Sequence, residues 1–388
     1  MKKKYVIREP EQLETLADAG SWTASNCTVS SVTNYLKESE YSIKMDCTST
    51  VSYITKTVNH NLRKKAPVTI WVYYNKIDEV SKIQIMLSND SSFTNYFSFS
   101  STDVHNGWNK ITIGRTMWIK NGSPSWGSNI VRIRLRAESP TGANPTVYWS
   151  GLSVNGYTRP KVLITMDDQW LTQYTECFPL MKKYGIKGTM YICTDRVGGS
   201  EDFVNLAQLR EMYNYGMDLC CHTKLHISLP TQTYAEQYDA INSSREYLRR
   251  HKLTRNNSEM HFAYPFGEYN QITLDVLRDL NFLTARTVRH QTQPHDIDNQ
   301  YLLHTESHWH EQTQAEWRYY IDRAIDTGNA VEINYHKFVA SNPDDTITVL
   351  ISSFEDMLKY IVKNRNKIDV VTKTEWYNGI SSTRRKIK

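Results

Sequence analysis

Asn155-Gly156-Tyr157-Thr158-Arg159-Pro160-Lys161-Val162-Leu163-Ile164-Thr165-Met166-Asp167-Asp168 divides the chain and sets its architecture. Gly156 permits a turn and Pro160 disfavours helix before it, so Asn155 to Pro160 reads as a short linker. The apolar run Val162-Leu163-Ile164 then reads as a buried strand that ends in two adjacent carboxylates. Downstream, strands and helices alternate. Strands are expected at Lys161 to Met166, Gly188 to Cys193, Met217 to Cys221, Met260 to Tyr264, Ala330 to Tyr335 and Ile368 to Val371. Helices are expected at Tyr174 to Tyr184, Asn205 to Tyr215, Tyr234 to Arg250, Ile272 to Leu280, Gln314 to Asp326 and Ser352 to Lys363. Strands separated by helices pair in parallel and carry their chemistry at their carboxyl ends.

Upstream of the linker the texture changes. Residues 1 to about 158 are dense in Ser, Thr, Asn, Tyr and Trp, with alternating segments at Thr69 to Tyr73, Lys82 to Leu87, Trp108 to Ile113, Asn129 to Leu135 and Val147 to Val154. Period-two alternation between polar turns predicts an antiparallel β-sandwich. Helical periodicity is confined to a short turn around Glu11 to Ala17. The fold class is therefore multidomain, β followed by α/β: a sandwich over 1–158, an α/β domain over 159–380 and a basic tail over 381–388.

The totals exclude more than they assign. With 388 residues, two domains are the prior expectation, and 39% apolar and 22% charged residues are ordinary for a globular chain. Much of the formal charge of +5 sits at the ends, in Lys2 to Lys4 and Arg384 to Lys388, so no nucleic-acid partner is expected. Six cysteines do not make a disulfide framework, and Cys193, Cys220 and Cys221 fall in strand-like runs as small apolar residues. No stretch reaches the length of a membrane span, and Lys2 to Pro10 is too short and polar for a signal peptide.

Three distant fragments carry the chemistry. Asp167-Asp168, His222-Thr223-Lys224-Leu225-His226 and Tyr335-His336 each follow a predicted strand end. Together they offer three oxygen or nitrogen ligands with a spare base and acid, the inventory for activating a water against a carbonyl. Each has a plainer reading. The Asp pair could cap a helix, the i, i+4 histidines on one face of a helical turn could arise by chance, and His336 could be a core histidine. Cys220 and Cys221 beside His222 suit strand packing better than a closed zinc site. Tyr264-Pro265-Phe266-Gly267 could be an ordinary turn, or a loop whose backbone N–H faces an oxyanion. His304, His308 and His310, near Trp309, read as surface or loop residues rather than a second metal site.

In order and spacing, Lys161 to about Tyr377 resembles the polysaccharide deacetylases of carbohydrate esterase family four, the NodB homology fold. Thr165-Met166-Asp167-Asp168 is similar to that family's first motif, His222 to His226 to its second, Ala263-Tyr264-Pro265-Phe266-Gly267 to its third and Ile333-Asn334-Tyr335-His336 to its last. The resemblance implies a distorted (β/α) barrel and metal-dependent removal of N-acetyl groups from a GlcNAc-type polysaccharide. It implies Asp167 as general base, Asp168, His222 and His226 as metal ligands, and His336 as general acid. Phe266 is implied as oxyanion donor, with Tyr264, Pro265, Gly267 and Thr223 around the substrate. The metal is expected to be zinc, with Ni2+, Co2+, Mn2+ or Fe2+ as alternatives. Three departures stand out: Ala263 where many members have arginine, Gln169 where glycine is common, and no recognisable fourth motif in Arg286 to Asp298, where Asp296 or Asp298 could substitute. The third-motif variant resembles the branch acting on poly-N-acetylglucosamine. The rival expectation is a glycan-binding adhesin that has kept the fold and lost catalysis.

The first domain resembles the jelly-roll modules attached to carbohydrate-active and phage tail proteins. That likeness implies a sugar-binding or assembly role, with Trp118 and Trp126 as the exposed stacking candidates and Trp71 and Trp108 as core. A wall-directed activity without a visible secretion signal leads to the expectation of an extracellular or virion-associated enzyme, made in the cytoplasm, with oligomeric or virion partners.

Overall fold

The computed structural model describes residues 8–386 apart from 103, 295–296, 298, 342 and 344–346. Two units divide them, 8–158 with Asp326–Gly328, and Arg159–Ile325 with 329–386. In the first, β1 (Glu11–Glu14), β2 (Thr23–Ser25), β3 (Cys27–Val32), β4 (Ser42–Cys47), β5 (Val51–His60) and β6 (Val68–Tyr74) precede β7 (Lys82–Ser88), β8 (Tyr96–Ser101), β9 (Gly107–Ile113), β10 (Ile119–Asn121), β11 (Ile130–Glu138) and β12 (Thr146–Val154). They form two six-stranded sheets, β3-β4-β12-β6-β9 with β1 on β12, and β10-β8-β7-β11-β5-β2. Alternation dictates the packing. Ile133, Leu135 and Ala137 of β11 enter the same core as Val72 and Trp149 of the other sheet, and their neighbours face away.

The helical turn expected around Glu11 to Ala17 is instead β1, paired antiparallel with β12 through Glu11 and Val154. Strand β4 pairs only with Thr146 to Trp149 of β12, so the rest of that edge is left for β1 to satisfy.

The second unit alternates as its sequence predicts. β13 (Lys161–Asp167), α1 (Phe178–Tyr184), β14 (Thr189–Ile192), α2 (Leu206–Tyr215), β15 (Asp218–Cys221), α3 (Tyr234–Arg250), β16 (His261–Ala263) and α4 (Gln271–Asp279) lead to β17 (Thr284–Arg286) and β18 (Glu306–Ser307). Then come α5 (Gln314–Thr327), β19 (Ala330–Tyr335), the parallel pair β20 (Lys337–Val339) and β21 (Thr348–Leu350), α6 (Ile351–Lys363), β22 (Asp369–Val370) and α7 (Lys373–Lys386). Local chemistry sets the helix starts. Asn205, Thr233 and Asn270 each cap a helix while the residue three later bonds back.

The main sheet runs β17-β16-β15-β14-β13-β19-β18, with β22 beside β13, and every pairing is parallel. It curls into a half-barrel. Leu303, just before β18, bridges to Arg286 of β17, and its N–H donates to Ala285 O at 3.0 Å. The strands are buried on both faces: Val162, Ile164, Ile192, Leu219 and Ile333 pack under the helices, and Leu163, Tyr191, Cys220 and Ala263 point the other way. The carboxyl ends of β13, β15, β16 and β19 therefore open on one side. Among the described residues no helix is long and apolar enough to cross a membrane.

Candidate metal and catalytic site

β13 ends abruptly because Asp168 (φ 71°) and Gln169 (φ 44°) are both left-handed, which turns the chain across the mouth of the half-barrel. Consecutive non-glycine residues in that region cost about 1–3 kcal/mol each and persist only where the surroundings hold them. Gln169 supplies the hold. Buried where glycine was expected, its side chain donates to Cys193 O and accepts from Cys193 N–H at 2.9 Å, copying a strand's pairing at the end of β14.

Asp168 Oδ1 consequently points at two imidazoles, 3.1 Å from His226 Nε2 and 3.6 Å from His222 Nε2. These three ligand atoms lie within 4.8 Å of one another. The histidines do not share a helical turn as their spacing suggested. They stand in an irregular loop in which Thr223 (φ 66°) and His226 (φ 54°) are left-handed. Thr223 is fully buried, and its Oγ1 accepts from His226 N–H at 3.0 Å, so it shapes the loop and presents nothing to a substrate.

The donor set fits a divalent cation. His222 Nδ1 lies 2.8 Å from Ala263 O, which can only accept, so Nδ1 carries the proton and Nε2 keeps its lone pair toward Asp168. Burial, then His222, pushes His226 down to about 4, so His226 is neutral at neutral pH. Asp168 Oδ1 is buried and accepts no hydrogen bond; Arg196 Nη1, 3.1 Å away, is misaligned for one. Lone pairs from three groups thus converge without a proton between them, the situation a metal ion resolves.

Asp167 is buried beside this group but faces elsewhere. Arg286 Nη2 donates to both its oxygens, at 2.5 and 2.6 Å, and Asn334 Nδ2 donates to Oδ2 at 3.1 Å. Burial would raise its carboxyl, but Arg286, His222 and His336 outweigh that and hold it at about 2. His336 Nε2 lies 3.8 Å from Asp167 Oδ2, half-buried at the end of β19. Gln173 Nε2 ties the two strand ends together, donating to Asp167 O at 2.5 Å and His336 O at 2.8 Å. Burial lowers His336, and the Asp167 and Asp168 carboxylates oppose it.

Arg286 escaped the sequence reading. The only available signal was a lone arginine in the short apolar run Phe282 to Thr287, which no strand buries without a partner. Its Nε lies 3.3 Å from Glu332 Oε1, and Glu332 also accepts from Lys373 Nζ at 2.7 Å and Tyr191 OH at 3.1 Å. Arg286 stands on β17 in register with Ala263, the position at which arginine was expected. Asp296 and Asp298 lie outside the described residues.

Phe266 takes φ 59°, and its exposed ring sits 4.6 Å from that of His226, so the turn borders the ligands. Tyr264 and Pro265 are buried, and the Tyr264 hydroxyl donates to Tyr301 O at 2.9 Å, so both side chains support the turn from within the core. Gly267 is required by conformation and space: at φ 74°, a Cβ there would meet Val288. His304 and His308 are buried and not at the surface, with His308 between Tyr335 OH and Ser353 Oγ. In the first unit Trp118 is also buried, and Trp126 is stacked 3.7 Å from Phe97 with Arg115 at 4.0 Å from its ring. Neither indole has a free face for a sugar, because loop residues here fill the end of the sandwich core.

Residues 155–285 match the family model described as polysaccharide deacetylase. The chain carries a polysaccharide deacetylase domain. Over 154 residues the protein is 29% identical to the poly-β-1,6-N-acetyl-D-glucosamine N-deacetylase of Staphylococcus epidermidis, covering 37% of this chain and 53% of that one. The enzyme of the same name from Staphylococcus aureus is 33% identical over 138 residues, 31% and 46% of the two chains. The Streptococcus pyogenes deacetylase PplD, solved with acetate, is 29% identical over 34% of this chain and 56% of its own, with a TM-score of 0.31. The chain spans about half the length of the curated relatives it matches. The matched stretch of the deacetylase domain contains Asp167, Asp168, His222, His226 and the Phe266 turn, and stops before His336.

Proposed function

We propose that the protein hydrolyses N-acetyl groups of a GlcNAc-type extracellular polysaccharide, releasing acetate and leaving a glucosamine unit. The observation that carries this is the convergence of Asp168, His222 and His226 beside a second, separately held carboxylate, Asp167. The two staphylococcal relatives, named for removing N-acetyl groups from poly-β-1,6-N-acetyl-D-glucosamine, support the substrate class.

Asp168, His222 and His226 would hold a divalent cation, zinc foremost. Bound there, the cation would polarise the acetamide carbonyl and acidify a water. Asp167, ionised throughout the neutral range, takes the proton of the attacking water. Held at about 2 it is a weak base, and Arg286 and Asn334 serve to aim it. The Phe266 N–H meets the developing oxyanion. His336, across from Asp167 Oδ2, gives a proton to the departing nitrogen, without which an amine anion would have to leave.

Acetate release from poly-β-1,6-GlcNAc and chitin oligomers, with chelator and after zinc is restored, tests the reading. Zinc-loaded protein that releases no acetate from any acetylated glycan would sink it and leave a glycan adhesin. Action outside the cell or on a virus particle belongs to the same proposal, supported by where such polymers occur; finding the protein in purified particles tests it.

A further inference from the structure

The first unit has a second candidate surface, on the outward face of the β10-β8-β7-β11-β5-β2 sheet. Arg132, Arg134 and Arg136 alternate with the core residues of β11 and so line up on that face, about 7 Å apart. Like charges so close repel, and neighbours would normally neutralise them. Only Arg136 is neutralised, by Glu138 at 2.6 Å. The cross-strand partners of Arg132 are Thr57 and Ser88, and those of Arg134 are Thr55 and Met86, none of them acidic. The Arg132 side chain makes no hydrogen bond or ion pair among the described residues, and its Nε is buried without a partner.

Arg134 is clamped. Its guanidinium lies 4.2 Å from the Tyr53 ring centroid and 3.9 Å from that of Phe93, while Nε donates to Thr55 Oγ1 at 3.1 Å. The clamp is built with care. Phe93 sits at φ 57°, and Asp90 holds its turn by accepting from Ser92 N–H and Thr94 N–H at 3.0 Å and Asn95 N–H at 2.7 Å. A strained turn that fixes an aromatic ring over one arginine of an uncompensated row marks a prepared surface rather than a solvated one.

We propose that this face binds a carboxylate-bearing polysaccharide. Guanidinium forks match carboxylates, and the rings of Phe93 and Tyr96, 5.9 Å apart, offer pyranose faces a stacking surface that a polyol phosphate chain could not use. Preference for a glycan over a nucleic acid rests on the deacetylase domain in the same chain, whereas the binding itself does not depend on catalysis.

The test is affinity electrophoresis of the full chain in polygalacturonate, with poly(glycerol phosphate), single-stranded DNA and neutral chitohexaose as the other arms. Salt-sensitive retardation by polygalacturonate is expected, weakened at least about 10-fold in R132Q/R134Q/R136Q and about 3-fold in F93A, which keeps every charge. Acetate release from chitin oligomers should be the same in all three proteins. Should the triple variant fail to fold by circular dichroism, Arg132→Gln, which has no internal partner to lose, carries the test with about a 3-fold loss expected. Undiminished binding in the variants, or equal binding to poly(glycerol phosphate), DNA or chitohexaose, overturns the proposal. Absence of acetate release with polygalacturonate binding intact would count against the enzymatic reading alone.

Discussion

Arg286 and Asp167 form a fully buried ion pair across the half-barrel, one nitrogen serving both carboxylate oxygens at 2.5 and 2.6 Å. Replacing Arg286 by Met leaves the buried Asp167 without its cation, while Glu332 keeps Lys373 and Tyr191. The expected cost is about 3–5 kcal/mol of stability, measured by urea unfolding. Restoring charge balance with Arg286→Met in an Asp167→Asn background, where Glu332 still pairs with Lys373, should recover part of it.

Asp167→Asn alone should leave one bound metal per chain, since Asp167 is not among the converging ligands. Acetate release should nevertheless fall about 10²- to 10⁴-fold, the usual worth of a positioned base. Metal content by mass spectrometry together with acetate assays distinguishes this from His222→Ala, which should lose both metal and activity.

Gln169 gives a graded prediction. Gln169→Gly relieves the left-handed backbone but loses both bonds to Cys193, whereas Gln169→Ala loses the bonds and keeps the strain. The alanine variant should therefore be less stable than the glycine variant by about 1 kcal/mol. It should also hold metal more weakly, because the same turn aims Asp168.

His308 predicts an acid limb in stability. Burial holds it down to about 3. The unfolded chain therefore takes up a proton near the ordinary 6.5 that the folded chain refuses. Stability from this group is fully present above 6.5 and is lost as pH falls toward 3, by about 1.4 kcal/mol per pH unit for one proton. Unfolding free energies measured between pH 7 and 4 should show a shallower decline in His308→Gln.

Trp126 wedges between Phe97 and Arg115, so Trp126→Ala should cost about 3–5 kcal/mol in the first unit. Its glycan affinity should be unchanged wherever the protein stays folded.

The strand–helix alternation after Pro160 was legible because each apolar run is long enough to need burial on both faces. The metal-facing trio was legible because Asp168, His222 and His226 follow such runs directly. Three things were hidden. The turn carrying the histidines departs from helix through left-handed residues that spacing cannot reveal. Arg286 acts from a strand of three residues, Thr284–Arg286, too short for any periodicity. Trp118 and Trp126 occupy a polar-looking loop yet close the end of the core, since composition says nothing about which way a loop folds back.

Asp167, Arg286, Glu332 and Lys373 alternate in sign, and Lys373 lies at the amino ends of the strands, where its backbone N–H donates to Thr189 Oγ1 at 3.0 Å. The reactive rim is thus wired electrically to the opposite end of the barrel. Anyone transplanting the rim motifs into another scaffold would have to bring this whole ladder of charges, because any rung left behind strands its neighbour in oil.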